Sequence, residues 1–196
     1  MTERRVVHFL HMSMKQQVEI PEPKVSRFLF ADTRFAWFWL IVRLYVGYQW
    51  LEAGWAKLNN PAWAGASAGS AITGFLNGAL GKTGGAHPDV SGWYAAFVQH
   101  VALPNAAFFS YLVTFGEIAV GLGLILGLFT GIAAFFGTFM NLNYLFAGTI
   151  STNPFLLLLQ LFLILAWRTA GWYGLDHYAL PALGTPWQKG TMFKKK

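Results

Sequence analysis

AFFSYLVTFGEIAVGLGLILGLFTGIAAFFGTFMNLNYLFA, residues 107–147, decides the fold. It holds two apolar runs, Ala107–Leu128 and Gly131–Ala147, parted around Thr130. At about 1.5 Å of helix per residue, such runs cover most of a hydrocarbon core about 30 Å thick. Backbone groups in lipid must be paired within their own segment, so both runs read as helices, and the short break makes them a tight antiparallel hairpin. Gly116, Gly121, Gly123, Gly127, Gly131 and Gly137 let backbones approach closely where lipid removes the hydrophobic drive for association.

Two further apolar runs flank the hairpin, Phe35–Leu58 before it and Pro154–Ala170 after it. Asn153 is placed to cap the last helix, and Pro154 in its first turn loses no needed hydrogen bond. The expectation is an all-α integral membrane protein, a four-transmembrane-helix bundle. Its membrane domain spans 35–170, between an N-terminal tail 1–34 and an amphipathic C-terminal tail 171–196. Basic residues set the orientation: Arg4, Arg5, Lys15, Lys24, Arg27 and Arg34 precede the first run, and Arg168, Lys189, Lys194, Lys195 and Lys196 follow or close the last. The loop 59–106 carries only Lys82, with Lys57 just before it, so both termini are expected in the cytoplasm of a prokaryotic inner membrane. The charged leader does not read as a cleavable signal.

That loop is too apolar for a plain tether. Ile72, Phe75, Leu76 and Leu80 recur at helical spacing after Ser67, a candidate cap, and Trp93, Phe97 and Val101 do so after Ser91. Two short helices lying on the outer face of the bundle follow, a lid joined by a turn at Gly84, Gly85, Pro88 and Asp89.

Composition agrees. The apolar set is 55% of 196 residues, with 18 Phe, 9 Trp and 7 Tyr against 14 Lys or Arg and 8 Asp or Glu. These proportions argue against a disordered chain, a nucleic-acid binder or an ordinary water-soluble enzyme. The net charge of +6 lies mostly on the tails. The absence of cysteine removes disulfides, iron–sulfur ligation and thiol chemistry. His8, His11, His87, His100 and His177 all lie outside the strongly apolar runs, so no metal site is expected.

Ionisable groups at membrane depth are costly and therefore informative. In the first run Arg43, Gly47, Trp50, Gly54 and Lys57 form one helical stripe, and Tyr45, Tyr48, Glu52 and Trp55 form another on the opposite face. Two such faces imply burial in a bundle or an oligomer. Glu117, flanked by Gly116, Ile118 and Val120, falls near the midplane of the second run and needs a cation or a proton there. Asn141, with Asn143 and Tyr144 close by, reaches a similar depth, and Gln160 lies in the outer half of the fourth run. Arg43, Glu117, Asn141 and Gln160 are expected to converge on a polar pocket. The competing reading is that they glue helices together. For a quinone guest, Glu117, Glu52 and Arg43 are the candidate catalytic groups. Tyr48, Trp50, Asn141, Tyr144 and Gln160 would hold the ring, and Arg43 is expected to pair with Glu117.

The stripe Arg43, Gly47, Gly54, Lys57, Leu58 resembles the DoxX/DoxD family of small four-span membrane proteins. So do Gly116-Glu117-Ile118, Gly121-Leu122-Gly123-Leu124 and Leu126-Gly127-Leu128-Phe129-Thr130. Met140-Asn141-Leu142-Asn143-Tyr144, Ser151-Thr152-Asn153-Pro154 and Ala170-Gly171-Trp172-Tyr173-Gly174-Leu175-Asp176 continue it. Gly74-Phe75-Leu76 and Gly92-Trp93-Tyr94 are similar to the longer DoxD-type members. The resemblance covers about Arg34 to Pro181. It implies the large membrane subunit of a thiosulfate:quinone oxidoreductase, which joins two thiosulfates into tetrathionate and passes two electrons to quinone. On that reading Lys57, Lys82 and His100 would meet the thiosulfate dianion at the outer mouth. The expected partners are the bilayer, quinone, and a redox subunit or further copies of the chain. An anchor or assembly subunit of a larger redox complex, and a small-anion or small-molecule transporter, are the alternatives. Asp176 is expected to cap a short amphipathic helix containing Tyr178 and Leu180.

Overall fold

The computed structural model describes residues 22–184, which are helical with no strand among them. Helix α1 (Lys24–Ala31) leads to a 3-10 turn at Thr33–Phe35, where the Asp32 carboxylate accepts from the Arg34 amide at 2.9 Å. The long helix α2 (Ala36–Leu58) follows. Two short helices come next, α3 (Ser70–Leu80) and α4 (Gly92–Phe97). A π-turn at Val98–Ala102 and a 3-10 turn at Leu103–Asn105 carry α4 into α5 (Ala106–Leu126). Helices α6 (Thr130–Phe146), α7 (Asn153–Leu165), α8 (Trp167–Ala170) and α9 (Asp176–Leu183) complete the chain. The expected N-terminal basic residues Arg4, Arg5 and Lys15 lie outside the described residues, as do His8, His11, Trp187, Lys189 and Lys194–Lys196.

Helices α2, α5, α6 and α7 pack side by side: α2 on α5, α5 on α6, α6 on α7, and α7 back on α2. Their boundaries follow three of the four apolar runs to within two residues. The fourth run is shorter than expected, because α7 stops at Leu165 and α8 restarts at Trp167. Among the described residues, one helical stretch, Gly92–Leu126, is long and apolar enough by itself to cross a membrane; Asn153–Leu165 is apolar but shorter. Helix α2 has the length but carries Arg43, Gln49, Glu52 and Lys57 among its aromatics.

Two cap expectations are corrected. Asn153 is already inside α7, entered from a left-handed turn at Ser151, and its amide donates back to the Thr149 carbonyl at 3.0 Å. Ser67 precedes α3 by a turn; the helix starts behind Gly69, whose φ of 100° is left-handed. The loop helices themselves stand where the periodicity put them.

The seam between α2 and α5 is closed by glycine. A Cβ on Gly121 would stand 2.6 Å from the Leu51 amide nitrogen, so no side chain fits there. Around this seam Trp39, Val46, Trp50, Leu124, Ala134, Leu156 and Leu163 form the main core. A second core, with Ile72, Leu76, Val90, Tyr94 and Val98, seats α3 and α4 on the ends of α5 and α6.

Candidate functional site

The two stripes of α2 separate as expected. Arg43, Gly47, Trp50 and Gly54 are buried, whereas Tyr45, Tyr48, Glu52 and Trp55 are exposed. At the end of the buried stripe, Lys57 reaches Glu117 of α5, with Nζ 2.8 and 2.7 Å from the two carboxylate oxygens. Tyr144 of α6 donates its hydroxyl to Glu117 Oε1 at 2.7 Å. One carboxylate thus joins three helices. Glu117 is 1% exposed, and its charge is tolerable there because an ammonium and a hydroxyl both hold it. The Lys57 ammonium also stands 5.1 Å from the centre of the Trp63 ring.

Aromatic packing fixes the tyrosine. Trp50 stacks beside Tyr144 at 6.5 Å and 22°, and Phe75 from α3 meets it edge-on at 6.0 Å. The other side of Tyr144 borders a cavity of 730 Å³ that runs between α5 and α6. Its α6 wall extends from Ile132 to Tyr144, about 18 Å of helix. Apart from Tyr94, Asn143 and Tyr144 at the α3–α4 end, its lining is almost wholly apolar, and exposed Leu122, Ile132, Phe136 and Phe139 open it sideways onto the protein surface. A groove of this shape accepts a long apolar chain with a small polar head.

The four expected convergent residues do not meet in one pocket. Asn141 donates to Gln160 at 2.8 Å, joining α6 to α7 inside the core, and Gln160 Nε2 would collide with any side chain at Gly137. That pair fills its own space, as helix glue does. The expected Arg43–Glu117 pair is absent, because Lys57 occupies the carboxylate. Arg43 instead turns to the opposite end of the bundle, where its Nη2 donates to the Tyr173 carbonyl at 3.0 Å. Gly127, left-handed at φ 64°, leaves the space that the guanidinium fills.

Asp176 is the acid whose charge Arg43 feels, and it is fully buried. Its carboxylate accepts from the Phe129 amide at 2.6 Å and the Thr130 amide at 2.9 Å. It therefore caps the start of α6, not its own helix α9 as expected. A carboxylate at a sequence separation of 47 gives no local cap pattern, so that role was invisible in the sequence.

The remaining expected site residues lie elsewhere. Tyr48 and Glu52 face away from the Glu117 cluster. Lys82 donates to the Gly148 carbonyl at 2.7 Å, and His100 is exposed on the π-turn with no side-chain hydrogen bond among the described residues. Lys57, Lys82 and His100 thus form no anion pocket together. No group of three His, Cys, Asp or Glu stands ready to hold a metal among the described residues. Sequence reasoning missed Trp63 and Tyr94 as groove walls, because neither belongs to the helically spaced apolar sets that marked the loop helices; Trp63 lies in the turn before α3.

No curated protein and no solved structure matches the chain. Residues 38–149, more than half of its length, match the DoxX family. That stretch contains α2 from Phe38 on, the loop helices, α5 and α6, hence Lys57, Glu117, Tyr144 and the groove together. The chain belongs to the DoxX family of membrane proteins.

Proposed function

We propose that this protein is a four-span inner-membrane subunit, both termini cytoplasmic, that binds an isoprenoid quinone in the groove between α5 and α6. The observation that carries the reading is the juncture at Tyr144. Its ring walls an apolar groove, and its hydroxyl binds a buried carboxylate neutralised by lysine. Helices α2, α5, α6 and α7 are the spans; outward-facing Phe135, Phe139, Leu158 and Leu165 suit a lipid boundary.

The residues present fit a quinone. The α5 and α6 walls take the tail, and Tyr94, Asn143 and Tyr144 supply polar atoms only at the head end. A bound quinone supplies a two-electron, two-proton acceptor. Glu117 Oε1 holds the phenolic proton of Tyr144, so a proton released from the hydroxyl has an acceptor already in place. Lys57 pairs with that acceptor, and its side chain, 19% exposed, links the buried carboxylate to the protein surface. Trp63, between Lys57 and the groove, keeps the ammonium out of the apolar channel.

The donor half of the reaction, thiosulfate to tetrathionate in the DoxD resemblance, is assigned in this reading to a partner redox subunit. Lys57 and Lys82 are already engaged, and the net charge of the Lys57–Glu117 pair is zero, which gives a dianion no attraction.

Tryptophan fluorescence of the purified protein, titrated with a short-chain ubiquinone or menaquinone, tests the reading. Saturable quenching is expected, and Gly116→Phe, which fills the groove wall, abolishes it while the helical circular dichroism stays. Equal quenching in Gly116→Phe and in the unaltered protein rejects the site.

A further inference from the structure

Helix α1 is fastened to one end of the bundle without entering it, and none of its eight residues is buried. Two of its carbonyls are held from the bundle side. Trp39 Nε1 of α2 donates to Leu29 at 2.7 Å, and Thr169 Oγ1 of α8 donates to Phe30 at 3.3 Å. The Phe30 ring stacks on Trp39 at 5.7 Å and 23°. With Leu29 and Phe30 engaged, the exposed residues of α1 are Lys24, Val25, Arg27 and Phe28. At about 100° of rotation per residue they follow one another around the helix as Arg27, Lys24, Phe28, Val25, over an arc of about 160°. One border of that arc is cationic and the other apolar. The apolar border runs on into the outer surface of α2: Phe28 lies 5.4 Å from Phe35 and Phe35 4.9 Å from Phe38, ring centre to ring centre, next to exposed Trp37. The acids near the cationic border are already engaged. Asp32 accepts three side-chain hydrogen bonds from Arg34, and Glu22 accepts from Ser26 at 3.2 Å and lies 3.9 Å from Arg168. Lys24 and Arg27 make no side-chain hydrogen bond or ion pair among the described residues.

We infer that α1 lies in the headgroup layer of the bilayer, where Lys24 and Arg27 bind the phosphate of an anionic phospholipid and Val25 and Phe28 rest on its acyl chains. The inference rests on the four-span reading, which puts the start of α2 at the membrane boundary. A helix whose exposed arc is half cationic and half apolar fits that boundary, since its charges meet headgroups and its apolar side chains meet hydrocarbon. A soluble anion would answer the two cations and leave Val25, 70% exposed, and Phe28, 41% exposed, in water; a phospholipid answers all four residues. Near a membrane surface each cation favours an anionic headgroup about fivefold. No residue of α1 lines the groove between α5 and α6, so this lipid and the proposed quinone occupy separate places.

The lack of native cysteine makes the test direct. Val25→Cys and, as a reference, Phe135→Cys on α6 are each labelled with a polarity-sensitive fluorophore in the full chain. Both are reconstituted in nanodiscs of phosphatidylcholine, with and without phosphatidylglycerol. Position 25 is expected to shift its emission to the blue when phosphatidylglycerol is present, and position 135 to report an apolar setting in both lipids. Lys24→Gln with Arg27→Gln, added to Val25→Cys, is expected to abolish the shift. Polar emission at 135 rejects the spans, and the inference with them. Apolar emission at 135 with no lipid dependence at 25 overturns the inference alone, and leaves water or another part of the protein over α1. A blue shift that survives the double substitution, or that inorganic phosphate produces in phosphatidylcholine discs, overturns the assignment of an anionic lipid to Lys24 and Arg27.

Discussion

Arg43 and Lys57 stand on one face of α2, about four turns apart. Both enter the bundle, yet they meet different surroundings. Arg43 is enclosed by Gly127, Gly174 and the Tyr173 carbonyl, and feels the charge of the buried Asp176. Lys57 meets Glu117 next to a tyrosine that borders open space. The first arrangement is a closed joint: the charge is consumed in holding the chain. The second keeps one side of its network accessible to a guest. Buried charge alone therefore does not mark the site; buried charge beside free volume does.

The closed joint should be the easier to break. Asp176→Ala strips a fully buried carboxylate from two amides and from the charge of Arg43, and about 3–5 kcal/mol of stability is expected to go with it. Thermal unfolding in detergent reads this directly. Asp176→Asn should recover only part, since a neutral amide leaves Arg43 without a counter-charge.

At the open end, Lys57→Met leaves Glu117 unpaired but near water and a tyrosine. The Tyr144 hydroxyl still holds the carboxylate, so a loss of about 2 kcal/mol is expected, below that of Asp176→Ala. The double variant Lys57→Met, Glu117→Gln should be more stable than Lys57→Met alone; additive losses would show that the two residues do not act as a pair. Smaller again, Tyr144→Phe removes one charge-assisted hydrogen bond, about 1.5 kcal/mol. It leaves the ring stacked on Trp50, so the groove keeps its shape and quinone quenching should persist with altered pH dependence. Unaltered pH dependence would take Tyr144 out of proton handling.

The residues that carry these tests were unequally legible in the sequence. Hydropathy and glycine spacing placed α2, α5 and α6 nearly to the residue, because each helix must satisfy its own backbone. The opposite stripes of α2 were equally plain. Which charges would pair was not, since Lys57 and Glu117 are 60 residues apart and Arg43 and Tyr173 are 130. Depth along the helices favours Arg43 over Lys57 as the partner of Glu117; the register of α2 against α5, set where Gly121 admits Leu51 and Gly54 admits Ile118, brings Lys57 to the carboxylate instead. The groove was hidden for a different reason. Apolar residues that line a void and apolar residues that fill a core have the same periodicity.

The mildest test lies outside the bundle. Asp32 is held at about 2 by hydrogen bonds from the Arg34 side chain and amide, well under the ordinary 3.8. A lowered folded-state value means that its contribution is complete above 3.8 and fades as pH falls through about 2. Asp32→Asn should therefore leave unfolding unchanged in its pH dependence from neutral down to about 4, and blunt it only below that.

The α3–α4 cap has one last consequence. It is continuous through the π-turn with α5, one wall of the groove, and it grips the far end of α6, the other wall, through Lys82 on the Gly148 carbonyl and Tyr94 on the Asn143 carbonyl at 3.0 Å. A clasp fastened to both jambs resists their spreading, because parting them at this end sacrifices two hydrogen bonds of about 1 kcal/mol each. It offers no resistance to a tail sliding in edgewise along the unbridged length. On the proposed quinone reading, loading is thereby steered to a lateral slot rather than through the fastened end.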